Sequence, residues 1–282
     1  MPELPEVEVL ARHLAPLVCG RTIRAVDVRR AKVVEPSTPR ALSRRLVGAT
    51  FAGLERRGKY LLFRLRPRRG EPFAVLGHLG MTGRMFLQPA RAPLPKHAAV
   101  VLDLGRLRFV YEDPRYFGRF TLDLTALDAL GPEPLGEEFT VERFAAALAR
   151  SAQAIKIKLL DQSLVAGVGN IYASEALFRA GLSPRRAACR LRRDEVGLLH
   201  AAIRAVLAEA IACGSTIPLD FAGGRTGDRL FYFGRAADAS DYHTERLLVY
   251  DRAGRPCSDC ATPIRRIVQA ARSTYFCPRC QK

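Results

Sequence analysis

The sequence predicts an α+β protein: an N-terminal antiparallel β-sandwich flanked by helices, then a helical segment, then a small tail held by a metal ion. Three observations predict it. Short β-forming runs crowd the chain up to residue 124, helical periods take over beyond a Gly- and Pro-rich break at 131–136, and four cysteines stand in two tight pairs after residue 256. The 282 residues exceed the usual domain of about 100–200. With 48% hydrophobic and 26% charged residues, the chain can bury a core, which excludes wholesale disorder.

The first helix is read from Val7, Leu10, Leu14 and Leu17 at helical spacing, with Pro5 in the first turn and Gly20 at the stop. The strands are read from TIRAVDV (22–28), KYLLFRL (59–65), FAVLGHL (73–79), AAVVLDL (98–104), RLRFVYE (from Arg106) and GRFTLDL (118–124). LDLGRLRF reads as a hairpin around Gly105, and the lack of regular strand–helix alternation favours antiparallel pairing. After GPEPLG, four segments suit helices: 141–150, the region around 155–162, 171–181 and 194–214. In the last, Val196, Leu199, Ile203, Val206 and Ala210 form one stripe, Asp194 can cap the start and Gly214 can end it. Residues 222–241 read as a long loop without a period. The expected domains are therefore 1–131, 132–253 and 254–282.

Charge points to a partner. Lys+Arg 45 against Asp+Glu 28 gives +17, which suits a polyanion, nucleic acid first; a ribosome-associated or merely basic protein would also fit. No apolar run approaches the about 20 residues of a membrane span. Glu3, Glu6 and Glu8 stand where a secretory leader would carry positive charge. The expectation is a soluble, cytoplasmic, nucleoid-associated chain with no membrane partner, acting as a monomer.

Cys257-x2-Cys260 and Cys277-x2-Cys280 are separated by sixteen residues. Each pair can grip one ion from a tight turn, so the four thiolates predict one structural Zn2+ with a closed shell. A tail of this size is too short for its own core, so the metal would supply its folding energy. Arg265, Arg266 and Arg272 between the pairs suit a hairpin that grips phosphates. Cys19, Cys189 and Cys213 are expected to be buried small hydrophobes. In VAGVGNIYASE (165–175), two glycines before a helix start form a turn whose backbone N–H groups can face an anion. A dinucleotide fingerprint does not fit, because no strand precedes it and the third glycine is missing.

Six motifs occur in one order: MPELPE at the start, RRGKYLL around Lys59, HLGMTGR around Met81, DPRYFGRF around Arg115, VAGVGNIYASE around Asn170, and the two-pair cysteine tail ending in CPRCQK. Together they resemble the bacterial formamidopyrimidine-DNA glycosylases, of the same superfamily as endonuclease VIII. The resemblance implies a helix-two-turn-helix in the helical domain and a four-cysteine zinc-finger β-hairpin in the tail. It implies a bifunctional DNA glycosylase/AP lyase of base excision repair that removes oxidised purines (8-oxoguanine, formamidopyrimidines). The partner would be double-stranded DNA containing oxidised bases or abasic sites.

The resemblance also assigns residues. Pro2, freed by loss of Met1, would be the nucleophile. A generic α-amine with a pKa of roughly 7.7–8.0 is about ten per cent neutral at pH 7, far more than lysine, and a secondary amine gives an iminium that persists as an electron sink. Glu3 would shuttle a proton at the sugar ring, Glu6 would line the lesion pocket and Lys59 would meet the lesion's phosphate. Lys156, Asn170 and Arg272 would clamp the backbone around the extruded nucleotide. An enzyme that takes a base out of the stack leaves a void, and Met81, Arg115 and Phe117 match the void-fillers. His78 and His97 suit either DNA contacts or satisfied structural histidines. Without the resemblance, Glu3 and Glu6 read as ordinary acids at a helix N-terminus, and Met81 and Phe117 as core.

Three departures stand out: Tyr116 in place of a second arginine, KHAAV without a histidine pair, and about a dozen inserted residues before YHTERLLVY. The last bears on lesion preference. Two alternatives remain: an endonuclease VIII-like glycosylase for oxidised pyrimidines, and a non-catalytic DNA damage- or structure-binding protein.

Overall fold

The computed structural model describes residues 2–214 and 247–282, so the 222–241 loop lies outside the described residues. The chain divides into two compact units. Their described parts are Pro2 with Glu6–Asp128, and Glu3–Pro5 with 129–214 and 247–282.

The first unit is built on eight strands and on helix α1 (Leu4–Val18) from Glu6 onward. Val7, Leu10, Leu14 and Val18 make the buried stripe of α1, and Gly20 leaves it at φ +80. Strands β1 (Ala25–Val28), β2 (Thr50–Arg57), β3 (Tyr60–Arg66), β4 (Phe73–His78), β5 (Arg84–Pro89), β6 (Ala98–Asp103), β7 (Leu107–Glu112) and β8 (Arg119–Thr121) form two four-stranded sheets, β1-β6-β7-β5 and β2-β3-β4-β8. Every pairing is antiparallel, as expected. Phe63 from one sheet meets Phe109 from the other at 5.5 Å between ring centres, and Phe120 lies 5.6 Å from Phe63, so an aromatic cluster fills the sandwich. The β6–β7 hairpin turns at Gly105, φ +95. Helix α2 (Pro39–Leu46) begins under a Thr38 side-chain cap and buries only Leu42 and Leu46, one turn apart. That single pair is too short a stripe for the sequence to announce.

The second unit is helical, with α3 (Val141–Ala149), α4 (Ile155–Leu159), α5 (Asn170–Arg179) and α6 (Arg193–Ala212). Turns at 162–164 and 166–167 join α4 to α5, the two turns of a helix-two-turn-helix. The α6 stripe is buried where expected, and Gly214 follows at φ +82. Asp194 does not cap it. The helix starts at Arg193, and Glu195 accepts the Arg192 N–H at 2.8 Å, leaving Asp194 on Arg192's guanidinium. The tail is a hairpin of β9 (Arg265–Gln269) and β10 (Arg272–Phe276). Its two-residue turn, Ala270 and Ala271, has both φ values positive, the geometry that matches the twist of paired strands. Cys19 and Cys189 are exposed and Cys213 is half-buried. Cys19 and Cys213 sit just beyond helix ends and Cys189 in a three-residue 3-10 turn, where no apolar stripe draws them inward. Among the described residues, no helix is long and apolar enough to cross a membrane.

Candidate functional site

The glycine turn of the second unit does face an anion, and that anion belongs to the chain itself. Glu3 is 2% exposed, and its carboxylate oxygens accept the N–H groups of Ile171 at 2.9 Å and Tyr172 at 3.4 Å. These are orphan donors at the start of α5, where the helix dipole favours negative charge. Gly169 is required because a Cβ there would overlap the Glu3 carboxylate, and Gly167, at φ +86, because a Cβ would meet Leu4 at 2.6 Å. Gln162 braces the turn, donating to Val168 O at 2.8 Å and accepting from Gly167 N at 2.9 Å. The Leu4 N–H reaches Gly167 O at 3.1 Å, which ties the chain beside Glu3 to the same turn.

Lys156 and Asn170 are hydrogen-bonded to each other. The Lys156 ammonium is fully buried and donates to Asn170 Oδ1 at 2.7 Å. Asn170 in turn donates to Ser273 O at 2.9 Å, beside exposed Arg272 on β10. Burial lowers the Lys156 pKa to about 8, against the pull of the Glu3 carboxylate and with help from the Arg272 guanidinium. Glu175, 3% exposed, accepts three consecutive N–H groups, Leu248, Val249 and Tyr250, at 2.8–3.0 Å. It anchors the chain that returns to α5 at residue 247, and burial raises its pKa despite those donors.

In the first unit, Pro2 and Glu6 are buried and Lys59 is 8% exposed, in a turn where Gly58 has φ +56. Next to that turn, Arg56 donates to Glu8 at 2.6 Å. His78 accepts the Gly80 N–H on Nδ1 at 3.2 Å and lies 4.8 Å from the Tyr60 ring. Burial, then Lys59 and Arg119, bring its pKa down to about 4, so it is neutral at pH 7 and structurally satisfied.

The three expected void-fillers are on the surface. Met81 is 46% and Phe117 50% exposed, which rules out the core reading for both. Arg115 is also exposed, its guanidinium 4.6 Å from the centre of the Phe117 ring. Their support is Asp113, a residue the sequence motif contains without revealing its part. It is fully buried and accepts from Thr82 Oγ1 at 2.7 Å, Gly118 N at 2.9 Å and Arg115 N at 3.2 Å. A Cβ at Gly118 would overlap the Tyr111 hydroxyl, and one at Gly80 would come within 2.6 Å of Gly118 N, so the two loops close on each other. Tyr116 takes φ +53 and accepts from Arg30 Nε at 3.0 Å. His97 is half-buried, and its carbonyl accepts the Asp113 N–H at 3.1 Å.

The four tail cysteines converge, with all sulfurs within 4.8 Å of one another. Cys257 and Cys280 Sγ are 3.9 Å apart, and Cys260 and Cys277 Sγ 3.5 Å. Zinc–sulfur bonds of about 2.3 Å set tetrahedral edges of about 3.8 Å, so the donors fit one Zn2+. Four protein ligands leave no position for a substrate, so the ion's part is to fix the hairpin that carries Arg272.

Three family models match along the chain: the formamidopyrimidine-DNA glycosylase N-terminal domain over residues 1–120, its H2TH domain over 130–220, and a zinc finger found in FPG and IleRS over 254–282. Among curated relatives, a formamidopyrimidine-DNA glycosylase of Symbiobacterium thermophilum is 45% identical, covering 100% of this chain and 89% of the relative. One from Carboxydothermus hydrogenoformans is 40% identical over the whole of both. Among solved structures, MutM in complex with DNA containing carbocyclic 8-oxo-G has a TM-score of 0.87 at 34% identity, with both chains fully covered. Lactococcus lactis Fpg with DNA containing an oxidised pyrimidine has a TM-score of 0.87 at 33% identity, again over both whole chains. The class is thus a base-excision-repair DNA glycosylase with a zinc finger. Within it, the chain belongs to the formamidopyrimidine-DNA glycosylase family.

Two outcomes follow from this geometry. Asp113→Ala leaves the buried Gly118 N–H without its acceptor and is expected to cost about 2–3 kcal/mol in urea unfolding; a loss below about 0.5 kcal/mol would contradict the hub role. The folded-state pKa of Lys156 lies below its ordinary 10.5, so between pH 8 and 10.5 the unfolded chain binds more protons. Stability relative to a Lys156→Met variant should therefore rise with pH across that window, read from urea midpoints at pH 7.5 and 9.5.

Proposed function

We propose that the chain is a bifunctional glycosylase/AP lyase that binds double-stranded DNA and excises oxidised purines. The observation that carries the reading is Glu3: next in sequence to Pro2, its carboxylate is seated on two helix N–H groups with no freedom to wander. Once Met1 is removed, the Pro2 nitrogen attacks C1′ of the damaged nucleotide, and the base departs with the C1′–N bond pair and takes a proton from water. Glu3 passes the Pro2 N–H proton to the ring oxygen as the C1′–O4′ bond breaks, and the iminium left between Pro2 and C1′ acts as the electron sink. Loss of a C2′ proton then breaks the C3′–O bond (β-elimination), and loss of a C4′ proton breaks the C5′–O bond (δ-elimination). Water finally releases Pro2.

The remaining residues bind and orient. Lys59, Lys156, Asn170 and Arg272 take phosphates around the extruded nucleotide, and His97 lies with the loop that meets the duplex. Glu6 lines the lesion pocket. Met81, Arg115 and Phe117 fill the vacated stack, a part suited to large side chains left half-exposed on a firmly braced loop. Zinc holds the hairpin behind Arg272. We take the protein to act as a monomer, with domains at 1–131, 132–253 and 254–282.

The Lactococcus lactis complex with oxidised pyrimidine DNA keeps a second reading in view, in which pyrimidine lesions are the preferred substrate. Borohydride added during reaction tests both. The expected result is a covalent adduct on Pro2 with an 8-oxoguanine duplex, in higher yield than with an oxidised-pyrimidine duplex. A protein form that keeps Met1 should give none. The reverse order of yields would favour the pyrimidine enzyme, and binding without any adduct would favour a non-catalytic damage sensor.

A further inference from the structure

One strongly charged surface of the first unit is unused by this function. Between residues 40 and 71, ten basic residues face two acids, Glu55 and Glu71. Arg56, Arg57 and Lys59 stand at the Lys59 turn, and Arg64 pairs with Glu55 at 2.9 Å. Five others, Arg44, Arg45, Arg66, Arg68 and Arg69, are all exposed, and none forms an ion pair among the described residues.

Local contacts place Arg45, Arg66 and Arg68 at one end of the β2-β3-β4-β8 sheet, and Arg44 and Arg69 are their chain neighbours. Arg45, in the last turn of α2, donates to Glu71 O at 3.1 Å and lies 4.3 Å from the centre of the Phe73 ring. The Arg68 side chain passes over Gly48, where a Cβ would touch it at 3.6 Å. Arg66 lies opposite Thr50 in the β2–β3 register. The end of α2 and the β3–β4 hairpin tip therefore present one guanidinium surface. A helix C-terminus accounts for basic residues at Arg44 and Arg45, but it does not call for three more on the neighbouring hairpin.

This end of the sheet is the one remote from the expected lesion contacts. β3 and β4 pair from Tyr60 opposite His78, beside Lys59, to Leu65 opposite Phe73 at the arginine end. Seven strand residues span about 20 Å. The Debye length is about 8 Å at physiological salt, so these arginines exert little force on a phosphate held at Lys59. They need a phosphate array of their own.

We propose that this face is a second duplex-binding surface, which holds a lesion-free stretch of DNA by its phosphates while the lesion-bearing stretch is engaged elsewhere. The choice of DNA rests on the function proposed above; the polyanion preference rests on the arginines alone. Guanidinium groups match phosphate in paired hydrogen bonds. A membrane surface is disfavoured because Val47 is the one exposed large apolar side chain among these arginines, where a lipid-binding face needs an apolar stripe. Substrate DNA is continuous, so a second stretch is always present at high effective concentration.

The test uses the full chain saturated with a short duplex carrying a stable abasic analogue. A labelled lesion-free duplex is then titrated in, followed by fluorescence anisotropy. The expected result is capture of the second duplex. Its affinity should fall at least tenfold in the quadruple variant Arg44→Ser, Arg45→Ser, Arg68→Ser, Arg69→Ser, and its salt slope should fall by about 3–4. The matching quadruple Lys variant, which keeps charge, should retain binding, so loss through misfolding is told apart from loss of charge. Affinity for the abasic duplex should change less than twofold. No second duplex captured by the wild-type complex, equal capture by the Ser variant, or capture of anionic vesicles in place of DNA would overturn the proposal. Failure of the abasic duplex to bind at all would instead count against the function proposed above, and the lesion-free titration would still read the arginine face directly.

Discussion

The seat of the Glu3 carboxylate is the constraint on which the rest of the site depends. Two N–H donors at the start of α5 have no partner within the helix, and an acid 168 positions away supplies one. To admit that acid, residue 169 must lack a side chain, and residue 167 must turn left-handed against Leu4. Gln162 locks the turn that makes this possible. The same α5 residues that close the seat also carry Asn170, which holds Lys156, and Glu175, which holds 248–250. One buried helix thus fixes an acid, a cation and a chain return. Ile171–Phe178 of it are buried, Ser174 and Glu175 included.

The first unit solves a different problem, which is to keep apolar groups exposed without letting them collapse. A fully buried Met or Phe gains roughly 1.5–3 kcal/mol over an exposed one, so Met81 and Phe117 forgo a sizeable part of that. They stay outside because Asp113 pins the loop backbone from within and because Gly80 and Gly118 approach too closely for any rearrangement that adds bulk. Fixing the backbone in advance removes the entropy cost of ordering the loop when a duplex arrives.

Much of the fold was legible in sequence, and what was missed has physical reasons. α6 and the strands with clear alternation declare themselves because one face is buried and the other is wet. β2 and β5 do not: β2 alternates weakly and is bulged between Phe51 and Gly53, and β5 is a short mixed run ending in Pro89. In the site, the cysteine spacing was sufficient for zinc, since metal geometry is written in local turns. The glycine turn correctly implied an anion, but not that Glu3 would provide it, because nothing local links positions 3 and 171. Asp113 was hidden for the same reason, as its partners at 82 and 118 meet only in the folded loop. The exposed cysteines at 19 and 189 show the opposite error, a compositional tendency overridden by position.

Exchange of Glu3 for its isosteric amide separates the acid's proton chemistry from its place on α5. Glu3→Gln keeps the size of the side chain but cannot move a proton. Base release from an 8-oxoguanine duplex should fall at least about 100-fold, while strand cleavage at a preformed abasic site, whose sugar ring opens to its aldehyde unaided, should fall far less. Base release by Glu3→Gln at the wild-type rate would show that Glu3 moves no proton in that step.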